Sequence, residues 1–87
     1  MRVLIVEDDE VLSDGLTVGL RLQGFSPEAV ATCADASHAL GADRFEAMVL
    51  DLMLPDGSGL DLLRDLRDRG IDLPVLMLTA RDGLGDK

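Results

Sequence analysis

Three stretches of the chain are uninterruptedly apolar, and each runs straight into a polar or turn-forming residue. Val3-Leu4-Ile5-Val6 meets Glu7-Asp8-Asp9, Ala47-Met48-Val49-Leu50 meets Asp51, and Pro74-Val75-Leu76-Met77-Leu78 meets Thr79. Continuous runs of β-branched residues and Leu are the pattern of strands covered on both faces of a parallel sheet, so Arg2 to Val6, about Phe45 to Leu50, and the run opened by Pro74 are predicted as strands. Phe25 to Ala31 is a weaker strand; Pro27 removes a ladder donor and places it at the sheet margin.

The intervening segments have helical spacing. Leu12, Leu16 and Leu20 recur between Asp9, a suitable N-cap, and Gly24, a suitable C′ residue, which predicts an amphipathic helix buried along those leucines. Gly15 and Gly19 lower its propensity and are expected to allow close packing. Asp35 to about Gly41 predicts a short helix through Ala36, Ala39 and Leu40. Gly57 to Arg69 predicts a third, with Leu60, Leu63 and Leu66 on its buried side and Gly70 closing it.

Strands alternating with helices imply right-handed crossovers and an α/β fold with a parallel sheet. Ligands of such sheets bind outside the carboxyl ends of the strands, where the strand order reverses. Glu7, Asp8, Asp51 and Thr79 all fall at that edge. With no linker, repeat or low-complexity segment, residues 1–87 read as one domain, and a chain of this size buries only about 60 to 65% of its unfolded surface.

Composition narrows the function. The chain is 47% hydrophobic but has two Phe and no Trp or Tyr, so its core is aliphatic and few aromatic faces are offered to bases or flavins. The net charge of −9, from 8 basic and 17 acidic residues, repels phosphate backbones and anionic membranes; no direct nucleic-acid or membrane binding is expected. The single cysteine, Cys33, allows no internal disulfide. No apolar run approaches the roughly 20 residues of a membrane span, and a cytoplasmic location is expected.

The acids carry the chemistry. If the first and third strands are neighbours, their terminal carboxylates converge, and two charges about 4 Å apart repel by about 4 kcal/mol at an effective dielectric of 20. A proton or a cation relieves this. Mg2+ suits a site of one or two carboxylates, a backbone carbonyl and waters, with positions open to phosphate oxygens. A metal-bound Asp beside a hydroxyl donor is equipped for carboxylate attack on a phosphoryl group, with Asp51 the nucleophile and Thr79 sharing the oxygen charge.

The three segments Val3 to Asp9, Leu50-Asp51-Leu52-Met53-Leu54-Pro55-Asp56-Gly57, and Leu73 to Ala80, in this order and spacing, resemble the receiver domain of two-component response regulators. The resemblance covers the whole chain and is closest to regulators with a winged-helix DNA-binding output domain. It implies a flavodoxin-like doubly wound sheet of order 2-1-3-4, phosphorylation of Asp51 by a sensor histidine kinase with Mg2+, and Asp8 as direct metal ligand. It further implies Glu7 acting mainly through water, the Met53 carbonyl as another ligand, and Thr79 as the switch hydroxyl beside small Ala80. Pro55 and Gly57 would shape the loop. The family's fifth strand, with its Lys, and its last helices are expected to be missing, Lys87 following Thr79 too closely to replace that Lys.

Two other readings follow from the same residues. One is a non-signalling interaction module that binds metal without switching; the other is a flavin protein, disfavoured by acids where a phosphate-binding Ser/Thr loop should follow the first strand. His38, Cys33, Met48 and Met77 read as surface or packing residues, and the acids near residues 82–86 as a solvated turn. Without a fifth strand the fourth should present an apolar edge and invite self-association or strand exchange.

Overall fold

Arg2–Val6 forms strand β1, and Val3, Leu4, Ile5 and Val6 are all at most 4% exposed, as a strand covered on both faces requires. The structure, a computed structural model, describes residues 1–78, so the expectations for Thr79, Ala80, residues 82–86 and Lys87 lie outside the described residues. After β1 come α1 (Glu10–Leu22), β2 (Ser26–Val30), α2 (Cys33–Ala42), β3 (Ala47–Asp51), a short hairpin of β4 (Met53–Leu54) and β5 (Gly57–Ser58), α3 (Gly59–Asp68) and β6 (Val75–Leu78).

The main sheet is parallel, in the order β2-β1-β3-β6. Counting only its four strands, that is the expected 2-1-3-4, and the fold is flavodoxin-like. β2 is the margin strand. Ser26 donates to the Met1 carbonyl and Val30 accepts from Glu7, so the even positions face β1 and Pro27 falls on the open side, where its missing N–H costs nothing.

The side chains of Leu4, Val6, Met48 and Leu50 enter the main core with Ala36 and Ala39 of α2 and Leu62 and Leu66 of α3. Val3 and Ile5, alternate in β1, point to the opposite face, which α1 covers by packing on β1 and β2. Leu66 is fully buried, and truncating such a residue to Ala costs about 2 to 5 kcal/mol.

Two helices depart in part from expectation, although Leu66 and Leu63 of α3 lie on its core side as expected. α1 has the predicted Asp9 cap and Gly24 at a left-handed φ of 93°, but its one buried residue is Ser13, and Leu12 is 41% exposed. Among the described residues a Cβ built on Gly15 or Gly19 meets nothing within 4 Å, so neither glycine serves close packing against them. α3 begins at Gly59 instead of Gly57, because 57 and 58 belong to the hairpin and Ser58 is the N-cap. Its buried seam is Gly59, Leu62 and Leu66, while Leu60 is 45% exposed. In α1 a small polar residue is the most buried, whereas in α3 leucines still fill the core, with Leu62 there in place of Leu60. α2 starts earlier than predicted, at Cys33, because Thr32 caps it.

Candidate functional site

The register of β1 and β3 aligns Val6 with Leu50, so Glu7 and Asp51 leave adjacent strand ends together. The Glu7 amide donates to the Val30 carbonyl at 3.0 Å, holding the residue in line with β1 beyond its last ladder pair. Glu7 and Asp51 are buried at 3% and 4% exposure, whereas Asp8 is exposed to solvent. One carboxylate oxygen from each of Glu7, Asp8 and Asp51 lies within 4.8 Å of the other two.

Glu7 is the informative member. Its Oε2 accepts the Asp9 amide at 2.9 Å, but its buried Oε1 has no hydrogen-bond partner among the described residues. Burial pushes the Glu7 carboxyl above its ordinary value; the Asp9 amide opposes this, and the charges of Asp51 and Asp8 reinforce it. A buried acceptor without a partner normally carries a desolvation penalty of about 1 to 3 kcal/mol, which a cation beside it would remove. Hard oxygen donors of this kind fit Mg2+. Asp9 stands apart: its Oδ1 accepts the amides of Val11 and Leu12 at 3.0 and 3.2 Å, so it caps α1.

Asp51 ends β3 in register with Leu78, the last described residue, and the Leu52 amide donates to the Leu78 carbonyl at 3.2 Å. The chain then turns into the β4–β5 hairpin, whose tip is Pro55 and Asp56. Gly59 donates to the Leu52 carbonyl at 2.7 Å, which makes Leu52 and Gly59 a hydrogen-bonded pair continuing the hairpin. By the alternation of antiparallel ladders, the Met53–Ser58 pair is then non-bonded and the Met53 carbonyl points away from the ladder. The Met53 amide approaches Asp51 Oδ1 at 3.5 Å.

Glu7, Asp8 and Asp51 are thus brought together as expected, and Met53 follows on the adjoining hairpin. Three residues near them were not singled out in the sequence. Gly59 packs on the backbone of Asp51 and Leu52, leaving no room for a side chain. Ser58 accepts the Leu60 amide at 3.1 Å. Asp56 accepts the amides of Cys33 and Ala34, at 2.8 and 3.0 Å, at the start of α2. The pattern Ser58-x-x-Asp61 before an apolar run is a capping signal that marks the true start of α3, and Thr32-x-x-Asp35 marks that of α2. A recess of about 780 Å³ lies between residues 40–46 and 70–74 at the opposite end of the sheet and holds none of these acids.

Comparison with known proteins gives a consistent picture. The family model described as the response regulator receiver domain matches residues 3–87. The response regulator protein PmrA of Pseudomonas aeruginosa is 51% identical over 87 residues, and the transcriptional regulatory protein BasR of Escherichia coli is 45% identical; each alignment covers all of this chain and 39% of the relative. Among solved structures, the non-phosphorylated HemR receiver domain from Leptospira biflexa superposes with a TM-score of 0.84 at 40% identity, over 94% of this chain and 66% of that one. The MaeR response regulator bound to beryllium trifluoride gives 0.88 at 31% identity, over all of this chain and 70% of that one. Among the described residues no helix is long and apolar enough to cross a membrane.

Proposed function

This chain belongs to the response regulator receiver domain family, and from that premise we propose that it is a phosphoacceptor, taking a phosphoryl group on Asp51 from a sensor histidine kinase. The observation that carries the reading is the unpartnered, buried Oε1 of Glu7 within reach of Asp8 and Asp51 at the carboxyl edge of the sheet. Glu7, Asp8, Asp51 and the Met53 carbonyl would hold Mg2+. When bound, the ion supplies positive charge to a site where acids alone would repel a phosphoryl group.

The chain's own groups do the rest. Asp51 presents a carboxylate oxygen whose backbone is fixed on two sides, by Leu78 of β6 in register and by Gly59 beneath it. In the proposed step that oxygen forms a bond to phosphorus as the bond to the donor's imidazole nitrogen breaks, and the electron pair leaves with the nitrogen. Low solvent exposure at Asp51 disfavours immediate hydrolysis of the aspartyl phosphate. Thr79 completes the proposal as the hydroxyl that donates to a phosphoryl oxygen.

The chain spans 39% of the length of the first two curated relatives. The name of BasR, a transcriptional regulatory protein, supports transcriptional output, carried in this proposal by a DNA-binding domain outside these 87 residues, since the charge of −9 opposes DNA contact by the receiver itself. Titration with beryllofluoride and Mg2+, followed by amide chemical shifts, checks the site. Saturable shifts at Glu7, Asp8, Leu52 and Met53, absent in Asp51→Asn, are expected; a flavin absorbance band in the purified protein or no shift at all would argue against it.

A further inference from the structure

The tip of the hairpin that follows Asp51 is fastened to a different element of the fold. Asp56 Oδ1 accepts the Cys33 amide at 2.8 Å and Oδ2 accepts the Ala34 amide at 3.0 Å. These are the first two N–H groups of α2, which no helix can satisfy internally. The third is also accounted for, since Thr32 Oγ1 accepts Asp35 at 3.0 Å, and Ala36 makes the first helical bond, to the Thr32 carbonyl at 3.0 Å. The donors of Cys33, Ala34 and Asp35 are therefore all filled, two of them by a residue 23 and 22 positions away. The carboxylate lies at the positive end of the helix dipole, and the two amides hold it below the ordinary Asp range.

This clamp is more than a cap for α2, because of what hangs on its other end. Between Asp51 and Asp56 lie only four residues, and one is Met53, whose carbonyl points away from the hairpin ladder. The base of the hairpin is pinned by Gly59 on Leu52. Asp56 is the polar contact that pins its tip to α2, with Cys33 packed behind it, its Sγ 4.0 Å from the Ser58 carbonyl. α2 in turn is anchored in the core through the fully buried Ala36.

Resting on the phosphoacceptor reading above, we propose that Asp56 is a positioning residue for the metal site: by clamping the hairpin tip onto the first turn of α2 it fixes the Met53 carbonyl relative to Glu7, Asp8 and Asp51. Outer supports of this kind are what set a ligand's direction in metal sites.

The test compares the parent chain, Asp56→Ala and Asp56→Asn by Mg2+ titration, with the metal-free carbonyl carbon shift of Met53 and amide exchange at Cys33 and Ala34 measured alongside. Asp56→Ala is expected to move the Met53 carbonyl shift, speed exchange at both amides, and weaken Mg2+ binding about tenfold, the lower end for loss of an outer support. Asp56→Asn, which keeps an acceptor oxygen for α2, is expected to recover most of that affinity. A folded Asp56→Ala protein that binds Mg2+ as tightly as the parent would overturn the proposal, as would a loss shared equally by the Asn variant. If the parent itself binds no Mg2+, the metal reading is overturned and this role with it; faster amide exchange in Asp56→Ala would still identify that failure as belonging to the pocket and not to the clamp.

Discussion

Gly59 lies directly against the backbone of Asp51: a Cβ placed on it would overlap the Asp51 carbonyl oxygen and stand 3.1 Å from the carbonyl carbon. Both clashing atoms are backbone, and they belong to the residue proposed to carry the phosphoryl group. The only ways to make room are to move the end of β3 or to lift the start of α3.

Gly59→Ala is therefore expected to destabilise the chain by about 1 to 3 kcal/mol, the range for overpacking a buried site. It should also reduce Asp51 labelling by a phosphodonor under conditions where the protein stays folded. Chemical denaturation and intact mass read the two effects separately. A variant as stable and as readily labelled as the parent would show that the backbone yields there.

Metal should act on stability through the three acids. At a Mg2+ concentration a hundredfold above its Kd, mass action predicts about 2.7 kcal/mol of added stability. Asp8→Asn removes one of three mutually repelling charges within 4.8 Å, so it should raise the melting temperature of the metal-free chain and abolish the rise caused by Mg2+. Thermal unfolding with and without Mg2+ measures both; an undiminished Mg2+ effect in the variant would place the ion elsewhere.

The pH dependence follows from the same pocket. Glu7 titrates above its ordinary value of 4.5 because burial disfavours its charged form. Between that value and its raised folded-state pKa the folded chain binds more protons than the unfolded one, so this group's contribution makes stability fall as pH rises through the window. Comparing metal-free melting temperatures from pH 4.5 upward in the parent and in Glu7→Gln isolates it: the difference between the two should grow with pH and then level. A difference independent of pH would mean that Glu7 titrates normally.

At the other side of the sheet, β6 is the outermost strand among the described residues and Leu76 on it is 64% exposed. An unpaired apolar edge invites pairing with another chain. Concentration-dependent self-association is expected by light scattering, weakened by Leu76→Lys; a strictly monomeric parent at high concentration would contradict it.

How much of this was legible in the sequence depended on whether the cause was local. Val3 to Val6 could be read as a buried central strand because every residue is apolar, and the acids at its end were legible for the same reason. Helix phase was not. In α1 the leucines at 12, 16 and 20 outweigh Ser13 on any hydropathy pattern, yet the serine's small size suits it to the contact with the sheet. In α3 the spacing put Leu60 on the buried side with Leu63 and Leu66 and passed over Leu62, which is buried once the hairpin fixes where the helix starts. The Asp56 clamp joins segments 22 and 23 residues apart, and no local pattern announces a bond of that span.

Phosphorylation of Asp51 is the claim on which the rest depends, and intact mass spectrometry after incubation with acetyl phosphate and Mg2+ tests it most directly. The account predicts a gain of one phosphoryl group that is lost on chelation of Mg2+ and absent in Asp51→Asn. Equal labelling of Asp51→Asn and the parent would contradict it.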